Sequence, residues 1–140
     1  MLADQQQVLP ERARIDRDDH APAGLQLRDQ RLGHEAERRL AAAGYRNVVV
    51  RIGDGYAGWP EHAPFDAIVV TAAAPHVPEP LVAQLKPGGR MVVPVDAGAF
   101  GQDLLLIRKH ADGTVSRTVV LPVRFVPLTG PGVRDGSGRR

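Results

Sequence analysis

Apolar positions divide this chain near residue 33. Residues 1–30 hold seven strongly apolar side chains, Met1, Leu2, Val8, Leu9, Ile15, Leu25 and Leu27, in neither a 3.6-residue nor a 2-residue period. The stretch "ERARIDRDDHAP" is charged and then broken by proline. This pattern predicts a poorly ordered segment over residues 1–33, with a frayed helix around 4–15 and no strand. From residue 33 the periodicities sharpen. "GHEAERRLAAAGY" combines good helix formers with Ala36, Leu40 and Ala43 on one face and Gly44 as the stop. "NVVVRI" (47–52) is short and β-branched, which predicts a strand. "FDAIVVT" (65–71) is apolar almost throughout, the signature of a strand covered on both faces in a parallel sheet. "PEPLVAQLKPGG" predicts a short helix with Pro80 in its first turn, Leu81, Val82 and Leu85 inward, and Gly88 and Gly89 ending it. A third strand follows at "RMVVPV" (90–95). "DLLLIRK" and "TVSRTVVLPVRFVPL" flank "HADG", and Asp-Gly between two strand-like runs predicts a hairpin.

Strands alternating with helices, then an antiparallel pair, indicate an α/β doubly wound sheet. At 140 residues the chain suits one domain, and 43% apolar residues can fill one core. The predicted organisation is a non-family or poorly ordered segment at 1–33, a folded domain at 34–130 and a disordered tail at 131–140. No apolar run approaches the ~20 residues of a membrane span, and the N-terminus lacks a signal-peptide core. There are no cysteines, which removes disulfides and thiolate chemistry and is compatible with a cytoplasmic protein. Net charge is +2, arginine outnumbers lysine 16 to 2, and aromatics are 4%. The basic residues are interleaved with acids, so no basic stripe for nucleic acid emerges.

Open α/β sheets bind ligands at the carboxyl ends of their strands. Three strand ends here have unusual content. After 47–52 comes Gly53-Asp54-Gly55, where glycines allow close approach and the carboxylate can accept from a ligand amine or hydroxyl. After 65–71 comes Ala72-Ala73-Ala74-Pro75, small residues that leave room for a ligand or simply pack tightly. After 90–95 comes "DAGAFGQ". Asp-Gly is also common in ordinary turns, so spacing alone favours a turn. The five histidines make no i, i+4 pair, which leaves no expected metal site. His62 and His76 read as exposed loop residues, Trp59 as a packing residue, and Ser116 and Ser137 lack a nucleophile context.

Taken together, Gly-Asp-Gly, Gly-Trp-Pro, the Ala-Ala-Ala-Pro strand end, Leu-Lys-Pro-Gly-Gly-Arg and the terminal Val-Pro-Leu-Thr closely resemble the protein-L-isoaspartate O-methyltransferases over about residues 36–130. The resemblance implies a class I S-adenosylmethionine-dependent methyltransferase with a Rossmann-like sheet. It also implies methylation of the isoaspartyl carboxyl in damaged proteins, a repair reaction. A carboxylate is ionised at neutral pH. It needs alignment with the methyl group and exclusion of water rather than a base. By motif, Asp54, Gly55 and Thr129 are implied as cofactor-binding residues, and Thr71, Ala72 and Ala73 as lining the substrate mouth. Pro122–Val126 is implied as a wall of the peptide groove. The family's glycine-rich cofactor loop, the acidic residue that binds the ribose and the catalytic serine segment have no counterpart in residues 1–33. The catalytic residue is therefore unassigned, and the sheet is expected to lack its first two strands. A frameshifted or mis-started reading frame would produce this. A split enzyme with a partner chain supplying the front half is the alternative. The competing functions are a non-catalytic remnant or interaction fragment, and a class I methyltransferase acting on another carboxylate or on RNA.

Overall fold

The computed structural model describes residues 23–27, 30–131 and 133, which fall into two units, one ending at Gly53 and one beginning at Asp54. The expected frayed helix at 4–15 and most of the expected tail at 131–140 lie outside the described residues.

In the first unit, strand β1 (Ala23–Leu27) precedes helix α1 (Gln30–Ala42) and strand β2 (Val48–Ile52). β1 runs parallel to β2, in register from Ala23 opposite Val48 to Leu27 opposite Ile52. The expectation of no strand before residue 33 is thus corrected. Five residues are too short for periodicity to stand out, and the ladder with β2 supplies what the local pattern does not. The helix also begins three residues before Gly33. Gly33 packs on β2, where a Cβ would come within 2.8 Å of the Ile52 side chain. Ala36 and Leu40 share this half-buried face, whereas Ala43 is exposed. Gly44 ends the helix as the sequence implies. Its φ is +84°, its N–H donates to Ala41 C=O, and Tyr45 N–H reaches back to Leu40 C=O. These two bonds make a Schellman stop. On the outer face the Glu35 carboxylate accepts from Arg39 (2.7 Å) and Arg38 (2.5 Å), and these partners, Arg39 first, hold it below the usual carboxylate range.

In the second unit, β3 (Phe65–Val69), β4 (Leu85–Asp96), β5 (Gln102–Lys109) and β6 (Val115–Val123) form a four-stranded sheet in that order. β3 and β4 are parallel, and the β4–β5 and β5–β6 pairs are antiparallel. The β5–β6 turn is the one "HADG" implies: Gly113 takes φ +84°, and the Asp112 carboxylate accepts from the Thr114 backbone (2.9 Å) and hydroxyl (2.6 Å). The predicted helix over residues 78–89 is corrected to α2 (Glu79–Ala83). Leu85 instead opens β4 opposite Phe65, and the ladder resumes at Arg90 opposite Ala67. Between them Gly89 approaches the Phe65 and Asp66 carbonyls so closely that a Cβ would fall within 3.2 Å of both.

The core of this unit is built on β4. Met91, Val93 and Ile107 are fully buried, joined by Val70, Leu81, Val82, Leu85 and Leu128. Each such side chain contributes roughly 1.5–3 kcal/mol on burial. The exposed pairs Lys86–Asp66 and Arg117–Glu79 are worth about 0–1 kcal/mol each, so packing decides the fold here. Among the described residues, no helix is long and apolar enough to cross a membrane.

Candidate functional site

Three segments of the second unit converge beyond the carboxyl ends of its strands. The first is the turn that follows β2. Asp54 caps a single turn over Gly55–Ala57, its carboxylate accepting from Tyr56 N–H at 3.1 Å. Gly58 follows at φ +69°, against Leu81 and Gln84. Its Cβ position would lie 2.5 Å from Gln84 Oε1, so glycine is required by conformation and by space. The Gln84 amide uses both ends here, accepting from Trp59 N–H (2.8 Å) and donating to Ala57 C=O (2.9 Å). Gly-Trp-Pro is therefore a packed latch onto α2. The Trp59 ring lies against His62 with centroids 4.5 Å apart.

The second segment continues β3. Val70 N–H donates to Val92 C=O and Ala74 N–H to Pro94 C=O, while Asp96 N–H returns to Ala74 C=O. The third segment comes from the far end of the chain. Val126 C=O accepts from Ala73 N–H (2.8 Å), and Leu128 N–H donates to Ala73 C=O (2.7 Å). Ala73 and Ala74 are thus gripped from opposite edges, and Ala72, Ala73 and Ala74 are at most 3% exposed. The alanine run packs as a floor; Thr71 before it is half-buried. The approach of residues 123–126 is held by Gln102, whose amide accepts from Phe125 N–H (2.6 Å) and donates to Phe125 C=O (3.1 Å).

Pairing with Ala73 delivers Thr129 and Gly130 to the first segment. Gly130 lies against the Asp54 carboxylate so closely that a Cβ would overlap Oδ1. Thus Asp54 and Gly55 come beside the segment that carries Thr129, far away in sequence. Gly55 is buried, Asp54 half-buried and Thr129 exposed. A carboxylate accepts hydrogen bonds on both oxygens, so this half-buried group is suited to an N–H or O–H donor. Among the described residues, no cluster of His, Asp or Glu could hold a metal ion.

The sequence reading missed five residues of this arrangement, Tyr56, Gln84, Gln102, Gly130 and the placement of His76. Gln84 and Gln102 carry no local signal. Gly130 is marked only by its place after Val-Pro-Leu-Thr. His76 was expected in an exposed loop, whereas it is half-buried with Nε2 2.8 Å from Tyr56 Oη. His62 is exposed.

A family model, "Protein-L-isoaspartate(D-aspartate) O-methyltransferase", matches residues 13–132. Protein-L-isoaspartate O-methyltransferase 2 of Polaromonas sp. is 63% identical over 99 residues, which span 71% of this chain and 47% of that protein. Protein-L-isoaspartate O-methyltransferase 1 of Nitrosospira multiformis is 64% identical over 99 residues, 71% of this chain and 42% of that protein. The chain therefore spans less than half the length of these curated relatives. A solved protein-L-isoaspartate O-methyltransferase superposes with a TM-score of 0.71 at 33% identity, over 78% of this chain and 34% of that one. A second neighbour is a candidate enzyme of the same kind from Plasmodium falciparum, in complex with S-adenosyl-L-homocysteine. It shares the fold with a TM-score of 0.66 at 23% identity, over 77% of this chain and 52% of that one.

Proposed function

The chain belongs to the protein-L-isoaspartate(D-aspartate) O-methyltransferase family, and we propose that it carries the adenine end and the substrate mouth of that family's active site. The sheet is the α/β, class I methyltransferase sheet that the resemblance implies. The proposed reaction is methylation of the isoaspartyl carboxylate in damaged proteins, in the cytoplasm. S-adenosylmethionine supplies a methyl group on a positively charged sulfur.

The observation that carries this reading is the meeting of Asp54 with Gly130, the residue after Thr129. Asp54, next to Gly55, accepts from the adenine amine, and Thr129 borders the ring. Thr71 offers its hydroxyl at the strand mouth, while Ala72 and Ala73 form the floor beneath the reacting groups and help to keep water out. No residue is assigned to proton transfer, since a carboxylate nucleophile is already ionised.

A second reading, a non-catalytic member that binds weakly or needs a partner chain, is favoured by the lack of any counterpart to the family's glycine-rich cofactor loop in residues 1–33. The two are separated by titrating S-adenosylhomocysteine into the purified 140-residue protein, with Asp54→Ala alongside. Micromolar binding that Asp54→Ala weakens at least tenfold supports the adenine end. A folded chain with no binding supports the second reading. On isoaspartyl peptide, turnover by this chain alone is expected to be absent or very low, because the glycine-rich cofactor loop has no counterpart in its sequence.

A further inference from the structure

Tyr56 and His76 stand on two of the three converging segments, one in the Asp54 turn and one just past the strand mouth. Their polar atoms are 2.8 Å apart, and their rings meet edge to face with centroids 5.9 Å apart. Both side chains are half-buried. Water therefore competes less for this bond than at an exposed site.

The Asp54 turn is weakly held by its own backbone. Its two bonds, Ala57 N–H to Asp54 C=O and Gly58 N–H to Gly55 C=O, are both 3.2 Å long, at the far end of the usual range. Gln84 secures the downstream side, at Ala57 and Trp59. The upstream side holds the carboxylate, and Tyr56 links it to the sheet. Tyr56 N–H donates to Asp54 Oδ1, and the Tyr56 hydroxyl meets His76. His76 is two residues beyond Ala74, whose backbone is bonded to β4 on both its N–H and its C=O at 2.9 Å.

We propose that Tyr56 and His76 are a positioning pair: together they lock the Asp54 turn to the strand mouth. On the reading that Asp54 meets adenine, they thereby set the spacing between the adenine end of the site and the methyl-transfer end. Neither touches the reacting atoms. A phenol hydroxyl donates and accepts, so the bond forms with either imidazole tautomer. Glutamine at 76 can reproduce both roles and leucine can reproduce neither. Phenylalanine at 56 keeps the ring contact and removes the hydroxyl.

The test is amide hydrogen exchange in the full 140-residue chain. Tyr56→Phe and His76→Leu are expected to speed exchange at Tyr56, Ala57 and Gly58 by about 2- to 10-fold, the scale of one lost hydrogen bond. His76→Gln is expected to restore the slow rate, and β5 and β6 are expected to exchange as before in all three variants. Wild-type rates at 56–58 in both Tyr56→Phe and His76→Leu overturn the proposal, as does a His76→Gln variant as fast as His76→Leu. A uniform rise across the sheet would mean a general packing role, and that too overturns it. S-adenosylhomocysteine titration of the same variants is the second arm. A wild-type chain that does not bind overturns the functional reading alone, because exchange still decides the latch. Where wild type binds, equal affinity in Tyr56→Phe overturns the positioning role.

Discussion

The carboxylate of Asp54 rests against the backbone of Gly130, so the loop after β2 and the far end of the chain share one contact. Position 130 has no room for a side chain while the Asp54 carboxylate stays in place. Gly130→Ala would push the carboxylate off Tyr56 N–H, whose bond to Oδ1 is 3.1 Å. Overpacking of this kind costs about 1–3 kcal/mol. Melting should show a loss on that scale, and Asp54→Ala should relieve part of it in the double variant. A Gly130→Ala chain as stable as wild type, with Tyr56 exchange unchanged, would refute the contact.

Gly58 carries two constraints at once, a φ of +69° and the nearness of Gln84 and Leu81. Gly58→Ala is therefore expected to destabilise by roughly 1–3 kcal/mol. Chemical denaturation measures this directly. Gly98→Ala is the control: φ is +64°, nothing lies within 4 Å of its Cβ position, and its cost should be smaller.

Gln102 acts as a piece of strand, meeting both backbone groups of Phe125 at 2.6 and 3.1 Å. Gln102→Ala leaves those part-buried groups without partners, at about 1–3 kcal/mol. Faster exchange should spread from Phe125 to Leu128, whose N–H binds Ala73 C=O. Exchange confined to Phe125 would mean that residues 126–130 are held independently.

Asp112 gives a pH prediction. The Thr114 hydroxyl, then the Thr114 backbone N–H, lower its carboxyl below the usual range. A lowered folded value means that the turn's contribution is complete above the unfolded value of about 4. It is lost as pH falls through the folded value. A carboxyl NMR titration should place Asp112 below an ordinary aspartate, and Thr114→Val should raise it. An unmoved titration in Thr114→Val would assign the effect elsewhere.

Much of this molecule could be read along the chain, for local reasons. The β-branched run at 48–52, the mostly apolar run at 65–69, the Gly44 stop and the Asp-Gly turn are each set by residues next to one another. The motif order also brought out the family, and with it Asp54, Gly55 and Thr129 as candidates. β1 escaped because "AGLQL" becomes a strand through its ladder with β2, five residues without a distinctive pattern of their own. The 78–89 helix was overestimated because good helix formers at 84–86 are claimed by Phe65, across the β3–β4 ladder.

Sequence by itself determined where most of the strands, turns and helix stops fall, because propensity, glycine conformation and apolar period act over a few residues. Only the tertiary structure decided what meets at the site. Val126 and Leu128 grip Ala73, Gly130 lies on Asp54, and Tyr56 reaches His76. Each of those contacts joins residues 20 or more positions apart, and no local pattern encodes a distance that the folding of the sheet creates.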